Sequence, residues 1–366
     1  MQLDIYHLQA RSAFHFGQRG VGIEESADCG PSDTLFSAMC HALRLATSVN
    51  DLEAMLDRFA AGEPPFLLSG AFPYVSLSDR YLRFYPVPVG FLRGDYGTTA
   101  QTPESKTRGV TLGKASKAHW LSEDLFFAWL EGSLSPSRVM NETSLLPGHV
   151  LVTSEQKAEL HKQFKKNVTA DEELRLWHVY EVPRVAVDRT SSAPNIFQAG
   201  RLSFLPRGGL WCGIYHRDPE QWSTAWTEEV LRHVGDLGLG GERSSGHGQF
   251  DLKSGVSLVM PDLSQGERFM TLSHYHPVYD QYRDERGVLG LEAAYELVIR
   301  RGWMSSPDDS GLRRKPVRMI ATGSVLRTLE PSQIYGELVD VTPDAFAPRI
   351  HTVWRYGFAL PVGVRN

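Results

Sequence analysis

Cysteine is scarce in this chain: 366 residues hold Cys29, Cys40 and Cys212, and none of them forms a CxxC pair. A zinc ribbon or a thioredoxin-type site is therefore unsupported, and a reducing compartment fits. No apolar run approaches the roughly 20 residues that span a bilayer. The opening MQLDIYHLQARSAF lacks the basic-then-apolar layout of a secretory leader, so a cytoplasmic protein is expected. There is no GxxxxGK[ST] motif and no internal repeat of 20–50 residues. Positive charge is not in excess either. The net charge is −5, so any nucleic-acid contact must come from a local basic surface or lean on partner subunits.

The length and a hydrophobic content of 42% allow a large core and more than one domain. Residues 5–16, IYHLQARSAFHF, alternate as a half-buried strand. Tyr6, Leu8, Ala10, Phe14 and Phe16 share one face, while His7, Gln9, Arg11 and His15 share the other. That second face offers the donors and cations that an RNA-facing sheet needs; a merely solvated face is the alternative. A glycine-punctuated loop, GQRGVGIEESADCGP, leads to a helix starting at Ser32. Ser32 is placed to cap it, Asp33 complements its dipole, and Leu35, Phe36, Met39, Cys40 and Leu43 form the apolar stripe. A second helix carries Leu52, Met55, Leu56 and Phe59, and strands are expected at 66–70 and 81–89.

Between Lys106 and Lys117 the chain carries Lys106, Arg108, Lys114 and Lys117 and no acid. Such a run is either a solvated loop or a flexible segment that tracks a phosphate backbone. Residues 154–175 mix both charge signs densely and read as a solvated helix or insertion. Strands follow at 183–189, 201–205 and 210–216, then a helix at 227–237 capped by Thr227. The remainder from 256 reads as mostly β, with a second basic patch at Arg313, Arg314, Lys315 and Arg318.

The most unusual stretch is 238–248, GLGGERSSGHG, with five glycines in eleven residues. It follows a helix and precedes a strand at 249–252. Nucleotide-binding loops have the reverse order, which puts phosphate at a helix N-terminus, so a nucleotide cofactor is disfavoured and none is expected. Glycines can instead turn backbone N–H groups into a concavity. Arg243 adds charge, and Ser244, Ser245 and His247 add donors. That arrangement suits a polynucleotide backbone; a plain connection is the alternative.

Four stretches together resemble the RAMP proteins of CRISPR systems, specifically the subunit-4 family of type III-A (Csm) effector complexes. They are AFHFGQRGVGIEES with PSDTLFSAMCHAL, then FLLSGAFPYV with LRFYPVP, then LGLGGERSSGHGQFDL, and last RYGFALPVGV. The resemblance implies an α+β fold of two ferredoxin-like (RRM-type) βαββαβ units with a long inserted hairpin or thumb region. Residues 1–255 would form the N-terminal unit, with the thumb at about 76–180 and centred on 85–120, and 256–366 the C-terminal unit. It implies a non-catalytic crRNA-binding subunit in antiviral defence. Such a subunit caps the repeat-derived 5′ handle and links the backbone RAMP subunit to the large palm-domain subunit. Carried over by position, Ser26 to Asp33, including Ser26 and Ser32, and Gly240, Gly241, Arg243, Ser244, Ser245, Gly246, His247 and Gly248 would touch handle RNA. Arg11, His15, Lys106, Arg108, Lys114 and Lys117 complete the expected RNA-binding set.

One departure is LSHYHP, where His274 stands at a position expected to be apolar. With no acid or cysteine at ligand spacing, His274 and His276 are not expected to bind metal. Two rival readings stay open. One is a metal-independent repeat-processing endoribonuclease drawing on Tyr6, His7, His15 or His247. The other is an adaptor that leaves every RNA contact to its neighbours.

Overall fold

The computed structural model describes residues 1–17, 26–46, 48–91, 113–164, 174–187, 194–304, 311–346 and 351–365. Lys106 and Arg108, and with them residues 92–112 of the expected thumb, lie outside that set. The fold is α+β, organised on one large mixed sheet.

The sheet strands are β1 (Gln2–Ala10), β2 (Phe66–Leu68), β3 (Phe72–Ser76), β4 (Tyr81–Pro86), β5 (Trp120–Ser122), β6 (Thr143–Leu146) and β7 (Val150–Thr153). A long hairpin, β8 (Trp177–Val187) and β9 (Pro194–Phe204), intervenes before β10 (Gly208–His216) and β11 (Phe250–Val259). The nine-stranded order is β11-β1-β10-β3-β4-β5-β7-β6, with β2 also on β10. β5 and β7 run parallel, while the other pairs are antiparallel. The inserted residues after β4 thus extend the main sheet. The extended hairpin is β8–β9, with Val179, Val185 and Ile196 exposed along it.

The helices are α1 (Ser32–Ala46), α2 (Val49–Ala60), α3 (Glu123–Leu130), α4 (Pro136–Glu142), α5 (Ser154–Phe164), α6 (Thr224–Leu237) and the short α7 (Tyr279–Tyr282). α1 buries Leu35, Phe36, Met39 and Leu43 of the stripe read from its spacing, with Ala42 beside them, while Cys40 is only partly buried. Its neighbour α6 is capped by Ser223, whose hydroxyl accepts from the Trp226 N–H at 3.2 Å, and not by Thr227, which is buried within the helix. α5 is anchored by Leu160 and Phe164 and is more than a solvated insertion.

The C-terminal half is built of three small sheets. β12 (Arg268–Thr271) lies between β15 (Val325–Arg327) and β18 (Pro361–Val364). β13 (Leu297–Arg300) pairs with β14 (Val317–Ile320), and β16 (Leu338–Asp340) pairs with β17 (Trp354–Tyr356). α7 is its one α-helix among the described residues.

α1 is clasped between the two halves. On its inner side Phe36 stacks edge-on with Phe59 of α2 at 5.0 Å. Phe36 also meets Tyr356 of β17 at 5.0 Å, and the Tyr356 hydroxyl accepts from the Leu68 N–H of β2. Truncating an aromatic in such a position costs about 3–5 kcal/mol. The two halves are therefore joined by core packing, not by a loose hinge.

The first strand departs from its alternation. β1 ends at Ala10, and residues 14–15 make only isolated bridges, Phe14 to Leu202 and His15 to Gly240. The face carrying His7 is not open. His7 is fully buried, stacked on Tyr81 at 3.8 Å with the Arg83 guanidinium 3.3 Å away. Burial and that cation push its pKa down to about 3, so the ring is neutral. Alternation alone could not show this, because a sheet covered on both faces can tuck a polar residue against aromatic and charged partners.

Candidate nucleic-acid interface

The glycine loop begins where α6 ends. Gly238 leaves the helix at φ +87°, and Leu239 drops into the core. Gly240 takes φ +97° and lies so close to the chain after β1 that a Cβ there would stand 2.5 Å from the His15 carbonyl oxygen. The Gly241 N–H donates to that same oxygen at 2.9 Å, and the Gly248 N–H donates to Ala13 at 2.8 Å. Arg243–Ser245 form a 3₁₀ turn ended by Gly246 at φ +79°. Much of the loop's amide capacity is spent inside the protein. The glycines serve close approach more than they form an open nest.

His15 is buried beneath this loop. Its Nδ1–H donates to the Gly200 carbonyl of β9 at 2.8 Å, which fixes the tautomer. Arg184 of β8 pairs with Glu242 at 3.0 Å, so the hairpin flanks the loop. His247 is buried, and its pKa is lowered by burial and by Arg201 and Arg184.

Facing the loop across a cleft of about 440 Å³ is the C-terminal half. One wall is Phe16, Gly240, Gly241 and Arg243, and the floor is the first turns of α1. The other wall is Arg300, Arg301, Trp303, Arg314 and Arg355. Five arginines and two carboxylates, Asp33 and Glu242, line it, which makes it strongly cationic within an acidic chain.

Asp33 is the hub. It is buried; its Oδ2 accepts from the Arg300 Nε–H at 3.2 Å and from Arg355 in a shorter contact, while Arg300 Nη2 stands 3.1 Å from Oδ1. Burial alone would raise its pKa, but Arg300 and Arg355 outweigh that and hold it well below the usual carboxylate range. His274 Nδ1 stands 3.8 Å from Asp33, too far for a hydrogen bond, and burial lowers its pKa. His276 pairs separately with Glu337 at 3.1 Å. Among the described residues no three potential ligands gather as a metal site.

Arg314 has no such partner among the described residues. Its Nη2 reaches Ser37 Oγ at 3.4 Å, and its buried Nε–H, like that of Arg355, has no hydrogen-bond acceptor among them. Burial and the neighbouring Arg355 push its pKa down to about 10. Three guanidiniums, those of Arg300, Arg314 and Arg355, thus surround one carboxylate. A buried polar donor without an acceptor is costly, and an anion in the cleft would supply one.

The expected residues fall into separate places. His15, Gly240, Gly241 and Arg243 line the cleft. Ser244, Ser245 and Gly246 form the exposed outer turn of the loop, and His247 and Gly248 lie beneath it. Ser32 is already the first helical residue, with Pro31 accepting the first helical N–H groups, and its hydroxyl accepts from the His274 N–H at 3.0 Å. Ser26 is buried and accepts from the Phe16 N–H. Arg11 pairs with Asp236 in the last turn of α6 and with Asp251 of β11, and does not line the cleft. Lys114 and Lys117 are exposed but do not line the cleft. Asp33 was read as a dipole partner and as the end of the 26–33 stretch expected at the RNA, whereas Arg300, Arg301, Trp303 and Arg355 were not singled out as site residues. Arg314 did, as part of the second basic patch.

The relatives of this chain point one way. Residues 264–364 match the family model for the CRISPR Csm4 C-terminal domain. A Csm4 protein of Thermococcus onnurineus is 24% identical over 338 residues, covering 92% of each chain. One from Mycobacterium tuberculosis is 26% identical over 332 residues, covering 90% of this chain and 88% of its own. Among solved structures, a chain of the Csm3–Csm4 subcomplex of a type III-A CRISPR-Cas interference complex superposes with a TM-score of 0.64 at 14% identity, over 100% of both chains. A chain of a Csm1–Csm4 cassette bound to cA4 gives 0.56 at 18% identity, over 100% of this chain and 98% of that one. Over nearly its whole length the chain is similar to Csm4 proteins of CRISPR systems, and residues 264–364 match that family's C-terminal domain.

Proposed function

We propose that this chain holds the repeat-derived 5′ handle of a crRNA within a type III-A effector complex, without cleaving it, in antiviral defence. The observation that carries the reading is the cleft itself. Three guanidiniums cluster around one carboxylate, and two of them, Arg314 and Arg355, each have a buried Nε–H without an acceptor among the described residues. A phosphodiester chain supplies the missing charge and acceptors together. The cleft is walled on one side by the glycine loop that the sequence singles out.

The partners follow from the relatives, whose solved structures pair Csm4 with Csm1 and with Csm3. By that likeness the chain joins the large palm-domain subunit to the backbone RAMP subunit. Its N-terminal strands run β11-β1-β10-β3 with α1 and α6 as crossovers, the order of a ferredoxin-like unit. The C-terminal half differs from a full second unit, since among the described residues it has one four-residue helix where such a unit would carry two.

Metal-free RNA cleavage needs a base and an acid at the reacting oxygens. His7 is neutral and sealed in the core, and His15 is bonded to Gly200 beneath the loop. Neither is arranged as an exchanging acid or base, and the holder reading is favoured over the nuclease. Incubating the full chain with labelled repeat RNA in the absence of metal should leave the RNA intact; cleavage at a defined position would overturn this reading. Arg243→Glu should lower crRNA retention in the assembled complex, and unchanged retention would remove the loop from the interface.

A further inference from the structure

Trp303 is the only one of the eight tryptophans whose side chain is exposed, at 50% of its surface. It stands in the wall of the cationic cleft, next to Arg301 and Arg314. The Arg313 guanidinium lies 4.8 Å above the ring centroid, a cation–π contact that holds the ring flat. The backbone under it is firm. Trp303 bridges Arg313, the Arg314 N–H donates to Gly302 at 2.9 Å, and the Met304 N–H donates to Leu312 at 2.8 Å. Met304 is itself buried in a small core with Val317 and Met319. A large aromatic fixed at its root, braced by a cation and left half open inside an arginine cleft does nothing for the core. It has the form of a surface on which a planar group stacks.

We propose that Trp303 is the stacking platform for one unpaired nucleobase of the RNA held in the cleft. The inference rests on the RNA-holding reading above and adds to it a base-contacting residue. Arginines in such a site follow the phosphates, whereas a ring takes the π-face of a base. Stacking is tolerant of base identity, so Trp303 would fix position and order rather than read sequence.

The test uses the full chain and single-stranded RNA carrying the repeat-derived handle, with wild type, Trp303→Ala, Trp303→Phe and Arg314→Ala compared across salt concentrations. Trp303→Ala should weaken binding by roughly 5- to 100-fold with the salt slope unchanged, and Trp303→Phe should recover most of the loss. RNA should quench wild-type tryptophan fluorescence, and most of that quenching should vanish in Trp303→Phe. If Arg314→Ala weakens binding while Trp303→Ala stays within twofold of wild type, the stacking role is overturned and RNA holding stands. Should neither substitution weaken binding, the RNA reading of the cleft falls and the platform with it. Should Trp303→Ala fail to fold, the fluorescence difference between wild type and Trp303→Phe decides: quenching of equal size in both overturns the platform.

Discussion

Arg300 of β13 and Asp33 in the first turn of α1 meet at 3.1 Å although 267 residues separate them in the chain. With Arg355 on the other carboxylate oxygen, this contact fastens the C-terminal half onto the helix that floors the cleft. Removing one member of a buried ion pair leaves the rest uncompensated, at a cost of about 3–5 kcal/mol. Asp33→Asn should therefore lower the unfolding free energy by about that much in denaturant titrations at neutral pH. The sign with pH is set by a depressed carboxylate. Its stabilisation is present above the unfolded value, about 3.9, and is lost as pH falls toward the lower folded value. The gap between wild type and Asp33→Asn should accordingly narrow below about pH 4.

His7 titrates in the same direction over a different window. Burial and Arg83 depress its pKa from 6.5 to about 3, so the folded state binds fewer protons than the unfolded chain between those values. Stability from this residue is full above the unfolded pKa and declines as pH drops toward 3. His7→Phe, which can keep the stack on Tyr81, should flatten the wild-type fall in stability between about pH 6 and pH 4. An unchanged slope would mean that the ring is not held neutral in the folded protein.

Two glycines of the loop separate close approach from backbone conformation. Both have positive φ, but a Cβ at Gly240 would meet the His15 carbonyl oxygen at 2.5 Å, whereas at Gly246 nothing lies within 4 Å. Gly246→Ala should cost about 1 kcal/mol of αL strain and leave RNA binding nearly intact. Gly240→Ala adds a clash with backbone, so it should cost at least twice as much and weaken RNA binding by displacing the loop. Thermal unfolding and filter binding on the pair would show whether the ranking holds.

The amphipathic helices were legible because their apolar spacing is local: Leu35, Phe36, Met39 and Leu43 all face inward as read. So was the singular loop at 238–248, since glycine density is visible without neighbours. The buried histidine face of β1 was not, because the residues that cover His7 come from β3 and β4. The long β8–β9 hairpin was read only at its ends; Pro183 and its exposed apolar residues break the pattern of a strand against a core. Half of the cleft was hidden for the same reason. Arg300, Arg301, Trp303 and Arg355 lie on short strands and connections of the C-terminal half, and only folding sets them opposite Gly240 and Arg243.

Of the cleft's guanidiniums Arg300, Arg314 and Arg355, Arg314 is the one that pairs with no carboxylate among the described residues, and its buried Nε–H, like that of Arg355, has no acceptor among them. The direct test is the salt dependence of handle-RNA binding for wild type and Arg314→Ala. Wild-type affinity should fall steeply as salt rises, and the variant should bind more weakly with a log–log slope smaller by about 1, as expected for one lost phosphate contact. Equal affinity and equal slope in the two proteins would contradict RNA binding in this cleft.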